Sequence, residues 1–364
     1  MFGFRSGDLN VVMVPDYRGG NPYLGLLIAA IESRGWKVTV ANYPSRYLAL
    51  TRLLLTHRNP SILHIHWITG LIAAVAWSTR PWVFRLKLFL LILDIRLVQL
   101  LGIKVVWTIH NRLAHEGFDV GREKRIRAAL FATVDGIITH GRNAEMAVSE
   151  LYGKPIDARC SIVPHGNYSG CYPPPSADPV ILREKLDLDA QTVVIFSFGM
   201  ICPYKGLERI IKAVKQSSAP VCLLVAGQAQ DKAYAAQLAE LANGDERIRL
   251  SFGFLSDQAL ADRLSVADVV ACPFTATLTS GSVLLAMTTG KALLLPRAAE
   301  ILDCLDPRGV IFFNDDKELL DSVSRLDRGQ LAAIGDQNRE RAATFNWEKV
   351  GQLTEAAYER ALSR

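Results

Sequence analysis

The stretch Phe196-Ser-Phe-Gly-Met-Ile-Cys-Pro-Tyr-Lys-Gly206 joins the end of a strand to the start of a helix. The apolar run from Thr192 to Phe198 predicts a strand that stops at Gly199, where a backbone without a side chain can approach a ligand. Four apolar residues then recur at the spacing of one helix face: Leu207, Ile210, Ile211 and Val214. Lys205 and the N-terminus of that helix both favour phosphate. The stretch therefore indicates a diphosphate-binding turn, with an ordinary strand–helix turn and a surface lysine as the alternative.

A second turn of the same kind follows the apolar run from Asp268 to Phe274. Four small residues, Thr279-Ser-Gly-Ser282, precede an apolar helix predicted at 283–287. Their backbone N–H groups and hydroxyls are suited to an anion, and N-capping alone would need only one Ser or Thr. Two such turns in one series of strands and helices favour a nucleoside diphosphate as the ligand.

Length and composition are those of an ordinary two-domain enzyme. The chain has 364 residues, half of them hydrophobic, which is long for a single core. The first ten residues lack the apolar core of a signal peptide, and the six cysteines are scattered without a C-x-x-C pair. We therefore expect a cytoplasmic protein with reduced thiols and without a zinc site.

Charge divides the chain into two halves. Residues 1–178 carry 20 Lys/Arg and 12 Asp/Glu, a net +8, and the remainder carries 21 and 24, a net −3. All seven histidines lie in the first half. Residues 164–179 between the halves are rich in Pro, Gly and Ser, which is typical of a linker. We place the first domain at 1–172 and the second at 180–345.

Strand-like and helix-like segments alternate in both halves. The predicted strands are 9–14, 37–41, 62–66, 104–110 and 136–140 in the first half, and 192–198, 221–226, 248–252, 268–273, 292–295 and 309–313 in the second. This alternation predicts an α/β protein with two Rossmann-like domains, whose parallel sheets face each other across a cleft. Ligands of such domains bind beyond the carboxyl ends of the strands. The chain has no G-x-G-x-x-G motif to indicate a nicotinamide enzyme.

Polar and aromatic residues gather at the predicted strand ends of the first half. The candidates are Asp16, Gly20 and Tyr23 after strand one, His66 and Trp67 where strand three ends, His110, Asn111 and Glu116 at the end of strand four and beyond it, and His165, Asn167 and Tyr168 in the linker. A buried structural histidine is the usual alternative for any one of these, and it is the better interpretation of His64. As a set at several strand ends, the residues indicate a binding site.

These motifs, in their order along the chain, resemble one family. The Gly199–Gly206 turn and Asn346-Trp-Glu348 before a last helix resemble GT-B glycosyltransferases, in which that helix, here 346–364, returns to the first domain. Six motifs are similar to bacterial GDP-mannose:glycolipid β-mannosyltransferases of xanthan-type exopolysaccharide assembly: Asn21-Pro-Tyr23, His64-Ile-His-Trp67, Thr108-Ile-His-Asn111, His165-Gly-Asn-Tyr168, Pro203-Tyr-Lys-Gly206 and Ser280-Gly-Ser282.

The resemblance implies a nucleotide-sugar donor, first of all GDP-mannose, in the second domain. Donor-binding residues would be Gly20, Gly199, Tyr204, Lys205, Gly227, Leu255, Ser280, Gly281 and Ser282. Thr277 and Leu285 stand where retaining relatives usually carry glutamates, which favours an inverting enzyme. Cys202 replaces a common basic residue, so Lys205 would carry more of the diphosphate binding.

Inverting transfer needs a base for the acceptor hydroxyl and stabilisation of the departing nucleoside diphosphate. The first domain would supply the base, with Glu116, His110 and Asp16 as candidates in that order. Tyr23, His66, Trp67, Asn111, His165, Asn167 and Tyr168 would line the acceptor or sugar pocket. No metal or cofactor is expected, because the only D-x-D, at 187–189, precedes the first strand of the second domain.

The charge and apolar residues of the first domain point to a lipid-linked acceptor. Residues 82–101 are apolar but interrupted by charges, and a core helix and an interfacial helix are equally compatible with them. A basic stretch at 122–127 and the +8 charge favour an anionic membrane surface and a polyprenyl-diphosphate-linked oligosaccharide, with the protein peripheral on the cytoplasmic face. No nucleic-acid-binding motif accompanies the charge.

Three alternatives remain open at this level. UDP-glucose or UDP-glucuronate could be the donor of a transferase with the same fold. A sugar-nucleotide epimerase or hydrolase shares the two-domain architecture. Cys202, Thr277 and Leu285 are also compatible with a catalytically silent sugar-nucleotide-binding subunit of a polysaccharide assembly complex.

Overall fold

Each half of the chain forms one six-stranded parallel sheet covered by helices. The computed structural model describes residues 9–44, 47–57, 60–77, 80–113, 119–275, 277–297 and 299–364. It divides into one unit of Met1–Gly166 with Asn346–Arg364 and a second unit of Asn167–Phe345. These two parallel sheets confirm the predicted α/β fold class.

The first unit has the strand order β2-β1-β3-β4-β5-β6. Its strands are β1 (Asn10–Val14), β2 (Lys37–Val40), β3 (Ile62–Ile65), β4 (Lys104–Thr108), β5 (Gly136–Thr139) and β6 (Cys160–Ile162). Its helices are α1 (Pro22–Glu32), α2 (Ala49–Leu53), α3 (Thr69–Ala76), α4 (Pro81–Leu100), α5 (Val120–Thr133), α6 (Arg142–Tyr152) and, at the end of the chain, α14 (Trp347–Leu362).

The second unit has the strand order β12-β11-β10-β7-β8-β9. Its strands are β7 (Val193–Phe198), β8 (Val221–Gly227), β9 (Ile248–Phe252), β10 (Val269–Ala271), β11 (Ala292–Pro296) and β12 (Val310–Phe313). Its helices are α7 (Pro179–Lys185), α8 (Leu207–Gln216), α9 (Lys232–Ala242), α10 (Asp257–Val266), α11 (Gly281–Thr288), α12 (Asp316–Ser324) and α13 (Arg328–Ala343). Short 3₁₀ turns lie at Pro203–Lys205, Ala299–Cys304 and Pro307–Gly309.

The predicted strands match eleven of these twelve, and each predicted end lies within two residues of the observed one. Strands β3, β4 and β5 each stop before the histidine that we assigned to them, so His66, His110 and His140 lie in the following loops. The strand that we missed is β6, which has three residues and forms the edge of the sheet beside β5. A run this short carries too little periodicity to stand out in the sequence.

The last helix packs inside the first unit, as the GT-B resemblance implies. Its residues Val350 and Tyr358 join the core formed by α1 and the sheet, and the Tyr358 hydroxyl lies 2.7 Å from His64 Nδ1. His64 Nε2 lies 2.7 Å from the Thr108 hydroxyl. Both nitrogens of the buried His64 are therefore paired within the core, which supports the structural interpretation of this residue.

The first unit ends at Gly166, earlier than the residue 172 at which we placed the end of the first domain. The Asn167 amide donates to the Phe345 carbonyl at 2.8 Å, and its side chain donates to the Ala342 carbonyl at 2.9 Å. The Tyr168 amide donates to the Thr288 hydroxyl at 3.2 Å. These hydrogen bonds explain why Asn167 and Tyr168 belong to the second unit.

The strand orders place one switch point in each sheet. In the first sheet it lies between β1 and β3, and in the second between β7 and β10, where successive connections leave in opposite directions. Ligands of open parallel sheets bind beside such points, outside the carboxyl ends of the strands. The loops at these two points begin at Pro15 and His66 in the first unit and at Gly199 and Cys272 in the second.

Helix α4, the apolar segment predicted at 82–101, carries one buried charge. The Asp94 carboxylate accepts bonds from the Leu50 and Thr51 amides at 2.9 and 2.8 Å and from the Thr51 hydroxyl at 2.6 Å. Asp94 thus caps the first turn of α2, whose own N-cap residue, Leu48, makes no side-chain cap bond. None of the described helices is long and apolar enough to span a bilayer.

We expect Asp94→Ala to lower the free energy of unfolding by about 3 kcal/mol, because it leaves two buried amides without their charged acceptor. Urea unfolding followed by circular dichroism would measure the change. Arg96→Ala, at an exposed position of the same helix, is the matched control. A loss for Asp94→Ala no larger than for the control would contradict this role.

Candidate functional site

The turn after β7 depends on two glycines that let neighbouring backbones touch. Gly199 adopts φ +96° in the left-handed region, and its amide donates to the Ala226 carbonyl at 3.1 Å. A Cβ on Gly227 would lie 1.7 Å from the Gly199 carbonyl oxygen. The ends of β7 and β8 therefore close into a surface of bare backbone beside the switch point.

Lys205 is folded back under this turn. Its side chain is buried, and Nζ donates to the Phe198 carbonyl at 3.0 Å. The Ser282 hydroxyl lies 3.4 Å from the same carbonyl, and a Cβ on Gly199 would meet both Lys205 Nζ and Ser282 Oγ. Burial lowers the pKa of the Lys205 ammonium. The structure thus brings together Gly199, Lys205 and Ser282, three of the predicted donor-binding residues.

Helix α11 points its N-terminus into the same region. Ser280 is its N-cap residue, and its hydroxyl accepts from the Val283 amide at 3.3 Å. The amides of Gly281 and Ser282 belong to the first helical turn, where no backbone carbonyl of the helix can accept from them. A Cβ on Gly281 would lie 2.9 Å from the Tyr168 hydroxyl. Tyr168, predicted in the acceptor or sugar pocket, instead packs against this helix start in the second unit.

Two further donor candidates lie on the loops around the turn. The Tyr204 ring stacks on Phe274 with centroids 6.3 Å apart, and its carbonyl accepts from the Thr275 amide at 2.9 Å. Leu255, in the loop after β9, is half-buried, and the neighbouring Phe254 side chain is 88% exposed. An exposed aromatic ring at the edge of the sheet offers a flat surface to a nucleotide base.

The positions that depart from the retaining pattern are structural. Thr277 is buried, and its hydroxyl donates to the Thr279 carbonyl at 2.8 Å. Leu285 is buried within α11. Cys202 is half-buried, with its sulfur 3.6 Å from the Met200 carbonyl oxygen. None of these three side chains supplies a charge.

In the first unit, the loop after β1 holds Asp16 and Gly20. Asp16 Oδ2 and Oδ1 accept from Arg18 Nη2 and Nε at 2.7 and 2.9 Å. This pairing with Arg18 lowers the pKa of Asp16, which weakens its candidacy as a base. Gly20 is exposed and belongs to the first unit, whereas the other predicted donor-binding residues belong to the second.

Tyr23 stands at the centre of a cluster of rings, which we call the ring cluster. Its centroid lies 4.6 to 6.3 Å from six other rings: His66, Trp67, His110, His140, His165 and Trp347. Trp67 stacks on His110 at 4.6 Å with planes 12° apart. Four residues of the predicted acceptor pocket, Tyr23, His66, Trp67 and His165, therefore meet the base candidate His110 at the carboxyl edge of the first sheet.

Three histidines of the ring cluster form a chain of hydrogen bonds. His66 Nδ1 lies 3.3 Å from His110 Nε2, and His110 Nδ1 lies 3.2 Å from His140 Nε2. His140 Nδ1 donates to the Val163 carbonyl at 2.9 Å. His165 Nδ1 donates separately to the Gly166 carbonyl at 2.8 Å. We did not predict His140 as a site residue, although its position directly after β5 was a usable signal.

Burial keeps these imidazoles neutral. It lowers the pKa of His64 and His165 to about 3 and that of His140 to about 4. Burial also holds the pKa of His66 and His110 well below the ordinary value, with the neighbouring histidines as a second cause. Neutral rings can accept a proton or a hydrogen bond at one nitrogen only.

Two further predicted site residues of the first domain are Asn111 and Glu116. Asn111 is half-buried, and its carbonyl accepts from Arg127 Nη1 at 3.1 Å. Glu116, our first candidate for the base, lies outside the described residues, so its role stays a prediction. Within the described ranges, no group of three His, Cys, Asp or Glu side chains could hold a metal ion.

Comparison with known proteins places this geometry among glycosyltransferases. Residues 192–328 match the family model of glycosyl transferases group 1. A GDP-mannose:glycolipid 4-beta-D-mannosyltransferase of Xanthomonas campestris pv. campestris is 24% identical over 362 residues, covering 94% of this chain and 89% of the relative.

Solved structures show the same fold. HepE of Anabaena, in complex with UDP and glucose, superposes with a TM-score of 0.70 at 16% identity, covering 95% of this chain and 98% of HepE. Sucrose-phosphate synthase of Thermosynechococcus elongatus reaches 0.75 at 16% identity, covering 98% and 99%. Together with the family model and the relative above, these likenesses confirm the resemblance: the chain is a glycosyltransferase of the GT-B fold.

The neutral histidines predict an acid-sensitive stability. Because their folded-state pKa values are lowered, the unfolded chain binds more protons between about pH 6.5 and pH 4, and stability falls as the pH drops through this window. We expect His64→Gln to reduce this slope by up to about 1.4 kcal/mol per pH unit. Urea unfolding at pH 5 to 8 would measure it. An unchanged slope below pH 6.5 would contradict the assignment, and the range above pH 7.5 serves as the internal control.

Proposed function

We propose that this chain transfers mannose from GDP-mannose, with inversion, to a lipid-linked oligosaccharide in bacterial exopolysaccharide biosynthesis. The observation that carries the proposal is the buried Lys205 ammonium beside Ser282 and the start of α11, under the glycine turn after β7. GDP-mannose as the donor and a glycolipid as the acceptor are taken from the activity named for the Xanthomonas relative.

A diphosphate fits the chemistry of this turn. An ammonium has three N–H donors, and Lys205 uses one on the Phe198 carbonyl, so others can bind phosphate oxygens. The Gly281 and Ser282 amides add the positive end of the α11 dipole. Desolvation of Lys205 is costly without an anion, and a bound diphosphate would offset it. The same groups would stabilise the nucleoside diphosphate as it leaves.

Inversion is supported by what occupies the positions of the retaining glutamates. Neither residue has a carboxylate: the Thr277 hydroxyl donates to the Thr279 carbonyl, and Leu285 is a buried apolar residue of α11. Phe254, 88% exposed beyond the end of β9, is our candidate for contact with the base. UDP-glucose and UDP-glucuronate remain alternative donors, and HepE, a structural neighbour, was solved with UDP.

The test of the proposal is a calorimetric and thermal-shift screen of the purified chain. GDP-mannose, UDP-glucose, UDP-glucuronate, GDP and UDP would be compared at equal concentration. We expect GDP-mannose and GDP to raise the melting temperature most, since a ligand that binds only the folded state stabilises it. Selective stabilisation by the UDP compounds would replace the donor. Stabilisation by none of them would overturn the diphosphate site.

Lys205→Ala should weaken GDP binding by roughly 10- to 100-fold, the value of a lost charge-assisted hydrogen bond of about 1.5–3 kcal/mol. Isothermal titration calorimetry would measure the dissociation constant. Lys212→Ala, at an exposed position of α8, is the matched control and should leave it unchanged. Equal binding by Lys205→Ala and the parent chain would remove Lys205 from the site.

We further propose that the protein docks peripherally on the cytoplasmic face of the membrane through α4. Trp82, Leu86 and Phe89 recur at the spacing of one helix face and are 61%, 49% and 62% exposed. The opposite face is buried in the unit, with Phe84 and Ile95 among its residues. An exposed apolar stripe of this kind is suited to the lipid interface.

Exposed basic side chains lie on α4 and α5, though they are fewer than the sequence indicated. Arg85 on α4 and Arg125 on α5 are exposed, and the Arg122 guanidinium lies 5.7 Å from the Phe84 ring centroid. Arg127, in contrast, is buried in an ion pair with Glu123 at 2.7 Å and is not available to a lipid. The remaining charge favours anionic headgroups and the diphosphate of a polyprenyl-linked acceptor.

The double change Trp82→Ser with Phe89→Ser should weaken binding to anionic vesicles by roughly 30-fold, the equivalent of about 2 kcal/mol of lost apolar burial. Co-sedimentation with vesicles of phosphatidylglycerol and phosphatidylethanolamine would measure it. Met146→Ser, which alters an exposed apolar residue of α6, is the control. Unchanged sedimentation of the double variant would move the membrane contact away from α4.

A further inference from the structure

The chain of histidines in the ring cluster crosses the edge of the first sheet strand by strand. His66 follows β3, His110 follows β4, His140 follows β5 and Val163 follows β6, and these four strands are successive neighbours. The three links are 3.3, 3.2 and 2.9 Å long. The spacing of neighbouring strands in the sheet therefore sets the spacing of the linked histidines.

The Val163 carbonyl gives the chain a direction. A carbonyl can only accept, so His140 must carry its proton on Nδ1, and a neutral ring then has a lone pair on Nε2. That lone pair accepts from His110 Nδ1–H, which leaves a lone pair on His110 Nε2. His110 Nε2 in turn accepts from His66 Nδ1–H. The reverse order would set the lone pair of His140 Nδ1 against the carbonyl oxygen.

With the hydrogen bonds in this order, the last histidine ends in one acceptor, His66 Nε2. The His66 side chain is 1% exposed, and Nε2 is buried without a hydrogen-bond partner among the described residues. A buried polar atom left unpaired costs about 1–3 kcal/mol, and native proteins rarely retain one without a use. Its neighbour His64, with ring centroids 4.0 Å apart, has both nitrogens paired.

We propose that His140 is a positioning residue that fixes the tautomers of His110 and His66, so that His66 Nε2 accepts a hydrogen bond from a sugar hydroxyl. The sugar belongs to a substrate of the proposed transferase, and this part of the inference rests on that function. A neutral imidazole with a lone pair selects an O–H donor, and hydroxyls are the groups that sugars supply. His110, whose two nitrogens are both engaged in the chain, is held in orientation by it.

The tautomers can be read without any turnover. Histidine labelled with ¹⁵N in the intact chain gives distinct shifts for protonated and bare ring nitrogens, and single His→Gln variants assign the seven rings. At pH 7.5 we expect His66, His110 and His140 each to carry the proton on Nδ1. A proton on His66 Nε2 in the parent chain would overturn the proposal.

Two substitutions at residue 140 separate orientation from packing. His140→Gln keeps an N–H for the Val163 carbonyl and an oxygen for His110 Nδ1–H, whereas His140→Leu keeps neither. We expect His140→Gln to preserve the tautomers of His66 and His110 and His140→Leu to mix them. Preserved tautomers in a folded His140→Leu, or mixed tautomers in a folded His140→Gln, would each contradict the positioning role. Melting temperatures report whether both variants fold.

The hydroxyl is tested by adding GDP-mannose, mannose and glucose in turn to the labelled chain. We expect the His66 Nε2 resonance to move toward the hydrogen-bonded value with at least one of them, and the shift to be lost in His140→Leu. A resonance that none of the three moves would overturn the ligand assignment. Transfer activity is a separate readout: kcat should fall at least about tenfold in His140→Leu and be restored in His140→Gln. Confirmed tautomers without any transfer would count against the proposed function alone.

Discussion

Parallel pairing of every strand is the constraint on which both units depend. A parallel strand can only be reached by a crossover, so helices cover both faces and all loops that follow strands collect at one edge. The reversal of strand order between β1 and β3 and between β7 and β10 then opens that edge at one point in each sheet. The glycine turn at Gly199 and the ring cluster around Tyr23 occupy these two points.

The two sheet edges present different chemical groups, backbone in the second unit and side chains in the first. In the second unit the backbone itself forms the surface, since Gly227 approaches the Gly199 carbonyl too closely for any side chain. In the first unit packed side chains form the site, and burial lowers the pKa of the histidines among them, so that they are uncharged. Neutral rings have two possible tautomers, and the Val163 carbonyl removes that ambiguity at one end. A backbone acceptor at the sheet edge thus fixes which nitrogen of His66 carries the proton, three hydrogen bonds away.

The strands and the glycine turn after β7 could be predicted from the sequence because both are local patterns: an apolar run, a glycine and a helix face. The assignment of Asn167 to the acceptor pocket missed its hydrogen bonds to Ala342 and Phe345, which pair residues far apart in the chain. His140 ends a predicted strand just as His66 does, but its role depends on the 3.2 Å distance to His110. No spacing in the sequence encodes which ring nitrogen carries a proton. The direction of the hydrogen bonds among the histidines follows only from the three-dimensional contact of His140 with the Val163 carbonyl.

Helix α4 shows how a tertiary contact changes the interpretation of a sequence pattern. As a sequence, its charges point to several faces, which leaves a core helix and an interfacial helix equally compatible. Asp94 removes one of these conflicting charges from the helix surface, because its carboxylate accepts hydrogen bonds from the first turn of α2 inside the unit. The outer face presents Trp82 and Phe89, and Arg85 is exposed on the same helix. A buried carboxylate, invisible as such in the sequence, is therefore what makes the outward face of this helix compatible with a lipid surface.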